Sequence, residues 1–364
     1  MAFTVIMFLV GTATTAGLLR LGHYLNHMGG HKKLEVECDI FHGRWEYDHA
    51  DPHPLYSPRT CPFIPNQFDC QSNGRPDQDY IKYRWKPYSC TLPPFNGKRL
   101  LQRFEGKRIM FVGDSVGYNQ WLSLVCMLHS AVPKARYLLE TKGGLSTLTF
   151  QAHNVSVMFS RNDFLVDIVD DKNERILKLD SIGNGGQLWK DVDVLVFNTW
   201  NEGLQTGKKQ SWDVIEEGNA RHKDIDRLAA FEKALTTWAK WVNSNVDPKK
   251  TNILFQFQGV SPDHTNSRDW ADTNAKNCKR QTRPVAGHNY PGGRHRGEAI
   301  LDKVLGTISK SVRLLNVTAL SQLRKDGHPS SYGSSKGAVD CTHWCLPGVP
   351  DTWNELLSAT LLRY

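Results

Sequence analysis

Residues 111–121 read FVGDSVGYNQW, and the fold turns on how the chain passes through Gly113-Asp114-Ser115. Upstream, KRIMFVG (107–113) is a short apolar run of the kind that forms a strand buried on both faces. Downstream, YNQWLSLVCMLH (118–129) reads as a helix. The junction has two readings. Asp114 or Ser115 caps a helix at an ordinary strand-to-helix turn, or Ser115 is a nucleophile displayed at the carboxyl end of a strand.

The same alternation continues outward. DVDVLVFNTW (191–200), NILFQFQG (252–259) and VRLLNVT (312–318) read as further buried strands. A helix is predicted over 224–242, where Leu228, Phe231, Leu235, Trp238 and Val242 follow helical spacing. Others are predicted over 297–309 and 351–362. Strands alternating with helices predict an α/β fold, an open parallel sheet with helices on both faces. Ligands in such folds sit beyond the carboxyl ends of the strands. Gly113-Asp114-Ser115 and Asn198-Thr199-Trp200 both fall there.

The 364 residues are 40% hydrophobic and 23% charged, which suits a globular protein of one large domain or two. A net charge of +8 would suit an acidic polymer, a membrane or nucleic acid. With no zinc-finger spacing and no dense Lys/Arg helix, nucleic acid is not an expected partner. AFTVIMFLVGTATTAGLL (2–19) carries no charge and precedes Arg20. Its eighteen residues can span a bilayer or act as a secretory signal, so 1–20 is an anchor or a signal. Residues 21–37 read as a stalk. His23, His27 and His31 share a helical spacing there, but no carboxylate or cysteine joins them, and no metal site is expected.

Eight cysteines follow: Cys38, Cys61, Cys70, Cys90, Cys126, Cys278, Cys341 and Cys345. An even number behind an apolar N-terminus reads as a disulfide framework in an oxidising compartment, with the pairing left open. No CxxC pair favours zinc. Sequons at Asn154 and Asn316 fit a secretory route. Residues 38–93 hold four of the cysteines amid Pro, Asp, Tyr and Trp, and read as a Cys-rich domain of disulfide-held loops. Its aromatics Trp45, Tyr47, Tyr80, Tyr83, Trp85 and Tyr88 either stack on sugars or fill a small core.

A nucleophilic Ser115 needs a base. VDCTHWCLPGVPDTW (339–353) offers one, with Asp340 three residues before His343 and Cys341 and Cys345 flanking the pair. That spacing lets a carboxylate reach Nδ1 within one turn and leaves Nε2 for the serine. Asn198 can donate to an oxyanion beside the Ser115 N–H, or serve as a structural strand end.

Five blocks carry a family resemblance: CDIFHGRWEYD (38–48), FDCQSNGRPDQDYIKYRWKP (68–87), RIMFVGDSVGYNQWLSLVCML (108–128), FQGVSPDH (257–264) and DCTHWCLPGVPDTWNELL (340–357). Nearly the whole chain resembles the plant trichome-birefringence-like proteins. The resemblance implies an SGNH-hydrolase-like catalytic domain over 94–364 and four disulfides. It implies a triad of Ser115, His343 and Asp340, with Gly113-Asp114-Ser115 and Asp340-x-x-His343 as the two signature motifs. It further implies O-acetylation of a cell-wall polysaccharide, xylan or pectin, in the Golgi lumen, with secretion to the cell wall as the alternative. The membrane would be engaged through the N-terminal segment. The acetyl donor would be a co-substrate, with no tightly bound cofactor. Two rivals stand beside it: an acetylesterase using the same residues, and a wall-polymer bridging protein without turnover. One stretch departs from the family pattern. NTWNEGLQTGKKQSW (198–212) keeps Asn198, Thr199 and Trp200 but lacks the paired tryptophans expected after the second strand.

Overall fold

Arg108–Gly113 forms the central strand of a seven-stranded sheet. The computed structural model describes residues 38–49, 54–200, 207, 210–259, 270, 275–287, 289–333 and 338–362. The apolar run at 2–19 and the histidines of the 21–37 stalk lie outside them. Among the described residues no helix is long and apolar enough to cross a membrane.

Along the chain come β1 (Gly43–Tyr47), β2 (Tyr83–Pro87), α1 (Gly97–Arg103), β3 (Arg108–Gly113) and α2 (Ser115–Ala131). Next are β4 (Tyr137–Lys142), β5 (Leu145–Phe150), β6 (Val155–Arg161), β7 (Asp167–Asp171), β8 (Glu174–Lys178) and α3 (Asn184–Trp189). Then follow β9 (Val194–Phe197), β10 (Val214–Glu217), β11 (Ala220–His222), α4 (Arg227–Asn245), β12 (Asn252–Phe257) and α5 (Arg296–Leu305). β13 (Val312–Asn316), α6 (Thr318–Gln322) and α7 (Val349–Leu362) complete the set.

The main sheet runs β13-β12-β9-β3-β6-β5-β4. β13, β12, β9, β3 and β6 are parallel, and β5 and β4 add an antiparallel edge. Strand alternation sends side chains to two cores. Ile109, Phe111, Val194, Val196 and Leu254 pack with Leu122, Val125 and Leu128 of α2 and Leu357 of α7. Met110, Val112, Leu195, Phe197, Ile253 and Phe255 pack with Leu235, Trp238 and Val242 of α4 and Leu301 of α5. The parallel core has helices on both faces, as the alternation predicts.

Three features go beyond the sequence reading. β4 and β5 meet through Gly143-Gly144, both at positive φ (57° and 79°), a backbone that glycine adopts without penalty in a two-residue hairpin. A second sheet, β11-β10-β8-β7, packs Ile215 and Leu177 against Ala230 and Ala234 of α4. The Cys-rich segment, expected as loops, contains an antiparallel pair in which Trp45 of β1 faces Trp85 of β2. That segment and the α/β body belong to one compact unit, Asp39–Tyr364.

Candidate active site

The junction after β3 accommodates both readings of Gly113-Asp114-Ser115, with the two residues taking different parts. Asp114 is the N-cap of α2, and its Oδ1 accepts from the N–H of Val116 (3.0 Å) and of Gly117 (3.4 Å). The same oxygen accepts from Asn198 Nδ2 (2.8 Å), and Oδ2 accepts from the Trp200 N–H (3.4 Å). A fully buried carboxylate is tolerated because these N–H donors surround it. Ser115 follows as the first helical residue. Its N–H has no intrahelical acceptor, by the geometry of a helix start.

Asn198 is wedged beneath this turn. A Cβ on Gly113 would lie 1.9 Å from Asn198 Oδ1, and one on Gly117 would lie 2.0 Å from it. Both positions therefore need glycine for close approach. Asn198 Nδ2, the donor the sequence reading offered to an oxyanion, gives one of its two hydrogens to Asp114, which ties Asn198 to the turn that carries Ser115.

The candidate base, His343, comes from far along the chain. Asp340 pairs with Ser330 in an isolated antiparallel bridge, with N–H···O distances of 2.8 and 3.0 Å. Asp340 Oδ1 accepts the N–H of Thr342 and of His343, both at 3.0 Å. That turn brings His343 Nδ1 to 2.8 Å from Asp340 Oδ2. On the other side of the ring, His343 Nε2 lies 2.8 Å from Ser115 Oγ. The structure thus brings together Ser115, His343 and Asp340 in one hydrogen-bonded line. Burial alone would raise the Asp340 carboxyl. Hydrogen bonds and the charge interaction with His343, with a further bond from Thr342, outweigh it and lower the pKa to about 2. The ionised carboxylate accepts, so Nδ1 carries the imidazole proton and Nε2 accepts from the Ser115 hydroxyl. The His343 and Asp340 side chains remain 23% and 29% exposed, open to an incoming molecule.

Disulfides pin this loop on both sides of His343. Cys341 bonds Cys278, and Cys345 bonds Cys70 of the Cys-rich segment. Cys61 bonds Cys126 of α2. Cys38 and Cys90 are disulfide-bonded as well. The Phe68 ring stands 5.3 Å from the His343 imidazole, and the Phe68 carbonyl accepts the Leu346 N–H at 2.9 Å. The Cys-rich segment therefore forms part of the wall around His343.

Sequence reasoning missed several residues here. Buried Arg75 donates to the carbonyls of Asp326 (2.7 Å) and His328 (3.2 Å), pairs with Asp77 (3.0 Å) and lies 3.8 Å over the Tyr80 ring. The run Arg75-Pro76-Asp77 was its available signal. Asn119 and His328, buried around the base loop, carried none.

Two family models match consecutive stretches of the chain. Residues 92–360 match the GDSL/SGNH-like acyl-esterase family found in Pmr5 and Cas1p, and residues 36–91 match the PMR5 N-terminal domain. Protein trichome birefringence-like 43 of Arabidopsis thaliana is 52% identical over 330 residues, covering 90% of this chain and 88% of that protein. Trichome birefringence-like 41 of the same plant is 52% identical over 322 residues, 88% and 89% of the two chains. Trichome birefringence-like 38 is 45% identical over 356 residues, 96% and 92%.

The chain belongs to this family.

In this trichome birefringence-like chain the remaining candidates separate by exposure. Tyr80 and Trp85 are buried and fill the core of the Cys-rich segment, whereas Tyr88 is exposed. Trp45 donates its Nε1–H to the Leu320 carbonyl at 2.8 Å. Trp200 is buried, edge-on to Phe231, Phe257 and His295, so it is a core residue with no face turned to solvent. Of the two sequons, Asn154 sits exposed on a turn at φ 50°. Asn316 is half-buried, with Oδ1 accepting the N–H of buried Thr318 at 3.2 Å.

Proposed function

We propose that this chain transfers an acetyl group to hydroxyls of a plant cell-wall polysaccharide through an acetyl-serine on Ser115. The observation that carries the reading is the line Ser115 Oγ–His343 Nε2–Asp340, two contacts of 2.8 Å each. His343 takes the Ser115 proton as Oγ attacks the acetyl carbonyl of the donor. The tetrahedral intermediate collapses, the donor's leaving group departs with the proton from Nε2, and acetyl-serine remains. A sugar hydroxyl then attacks that ester as His343 removes its proton, and Ser115 is released with the proton returned. Asp340 stays ionised and stabilises the imidazolium formed in each half-reaction. The Ser115 N–H, at the positive end of α2, is the donor best placed for the oxyanion.

Xylan and pectin are both candidate acceptors. The net charge of +8 favours an acidic pectin, and the family resemblance favours xylan. The uncharged run at 2–19 and a disulfide-bonded fold support a membrane-held place in the Golgi lumen. The exposed Asn154 is the better glycan acceptor of the two sequons. A second reading, hydrolysis of acetylated polymer, is supported by the acyl-esterase family model and by a base that solvent can reach. A bridging protein without turnover has no need of a serine hydrogen-bonded to histidine.

Mass spectrometry decides between them. The purified chain is incubated with an isotopically labelled acetyl ester, with and without xylan or pectin oligosaccharides. Labelled acetyl on an oligosaccharide, absent with Ser115→Ala, is the expected result. Free acetate released equally with and without sugar would make the chain an esterase. Transfer by a folded Ser115→Ala variant would sink the mechanism.

A further inference from the structure

One peptide group next to the base is held at both of its polar ends. The carbonyl of His343 accepts from His328 Nδ1 at 2.7 Å. The N–H of the same peptide, that of Trp344, donates to Asn119 Oδ1 at 2.7 Å. Asn119 Nδ2 also donates to the Trp344 carbonyl at 3.2 Å, so one carboxamide grips both backbone groups of Trp344. The His328 ring stacks on the Trp344 indole, with centroids 4.1 Å apart and planes at 27°. Asn119 and His328 are 0% and 1% exposed. A carbonyl can only accept, so the proton of His328 resides on Nδ1. Burial pushes the His328 imidazole down to about 4, which keeps it neutral.

We propose that Asn119 and His328 are positioning residues for His343. This rests on the reading of His343 as the general base. Asp340 fixes one edge of the imidazole, but the ring pivots on the His343 backbone. A tilt of the 343–344 peptide would swing Nε2 away from Ser115 while leaving the fold intact. Asn119 lies one helical turn beyond Ser115 on α2. The nucleophile and the base loop therefore share one rigid reference, and their 2.8 Å spacing is set by a single turn of helix. His328 supplies the opposing grip. Its own backbone is fixed by Arg75, which donates to its carbonyl at 3.2 Å. Charged groups around the clamp are Asp340, Asp326 and Arg75. The clamp meets a general requirement of base catalysis, since a misplacement of about 1 Å can cost on the order of 100-fold in rate.

The test uses the full, disulfide-bonded chain and p-nitrophenyl acetate, which acylates a nucleophilic serine directly. His328→Phe keeps a ring against Trp344 and removes the donor. His328→Asn restores a donor near the Nδ1 position. We expect the Phe variant to acylate Ser115 on the order of 10–100-fold more slowly with KM little changed. The Asn variant should recover most of that loss. The pH midpoint of acylation should fall in the Phe variant, because a displaced imidazole loses part of its contact with the Asp340 anion. A purely structural role would lower Tm and leave the rate per folded molecule and the midpoint unchanged. That result overturns the proposal. The His343 Nδ1 proton resonance, read by NMR in Ser115→Ala protein, gives a readout that needs no reaction. If wild type does not acylate but this resonance moves with His328→Phe, the proposed function fails and the clamp survives. If acylation is normal and the resonance stays fixed in His328→Phe, the clamp is wrong and the function stands. Asn119→Ser, which shortens the grip to one hydrogen bond, should show the same rate loss and resonance shift in smaller measure; wild-type behaviour there would remove Asn119 from the clamp.

Discussion

At Asp340 three N–H groups converge on one carboxylate: those of Thr342 and His343 from the backbone, and Nδ1 of the imidazole. The folded pKa of about 2 lies below the ordinary 3.8, so the anion contributes to stability. That contribution is complete above the unfolded value and is lost as pH falls through about 2. Asp340→Asn removes the anion and can present its amide N–H to Nδ1, forcing the wrong tautomer. It should lower the rate of the proposed acetyl transfer by roughly 10³–10⁴-fold, by analogy with carboxylate-to-amide changes in serine hydrolase triads. Steady-state kinetics, with circular dichroism to check folding, would measure it. Gly117 offers a second residue-scale test. A Cβ there would meet Asn198 Oδ1 at 2.0 Å and push the carboxamide off Asp114. Gly117→Ala should cost about 1–3 kcal/mol in urea unfolding. An unchanged midpoint would mean that the cradle tolerates a methyl group.

Among the elements, legibility followed burial. β3, β9 and β12 could be read because strands covered on both faces are largely continuous apolar runs, whereas the half-buried edge strand β13 showed itself only through Val312, Leu314 and Leu315. β4 could not, because Tyr137–Lys142 is exposed along its whole length and shows no alternation. The Gly143-Gly144 turn beside it was the usable signal. The β7–β8 turn was harder, since Lys172 and Asn173 hold positive φ (47° and 72°) with only the asparagine hinting at it. Within the site, Asp340 and His343 were legible because their contact is local, three residues apart. Asn119 looked like one more polar residue on a helix, and His328 was one of fourteen histidines. Their role depends on contacts spanning 225 and 15 residues, which no local pattern encodes. One residue beyond Trp344, the Cys70–Cys345 bond ties the same loop to the Cys-rich segment. Cys70→Ser with Cys345→Ser should cost roughly 3–5 kcal/mol and lower activity beyond the loss of folded protein. Thermal unfolding and kinetics on the same sample separate the two effects.

For the molecule as a whole, pH acts through two carboxyls carried on α7, Asp351 and Glu355, as well as through the site. Burial, helped by the charge of Asp351 and opposed by Arg84, raises Glu355 to about 7. Burial likewise raises Asp351 to about 6 despite bonds from Ser123 and Tyr56. A carboxyl raised in the folded state favours folding while protonated, and that support is lost as pH rises through the folded value. His328 has the opposite sign: held near 4 by burial, it stabilises at neutral pH and loses that support on acidification below about 6.5. The difference between Glu355→Gln and wild type isolates one group. The variant should gain relative stability steadily from about pH 5 to pH 7, measured by urea unfolding. A flat difference would show that Glu355 is not titrating there. Ser115 and His343 stand 228 residues apart in sequence, yet touch. Synthesis therefore delivers Ser115 well before the histidine it must meet. A chain that stops short of residue 343 carries the serine with nothing to activate it. Such a fragment could not run the proposed chemistry, so chemical competence reports that translation has passed residue 343.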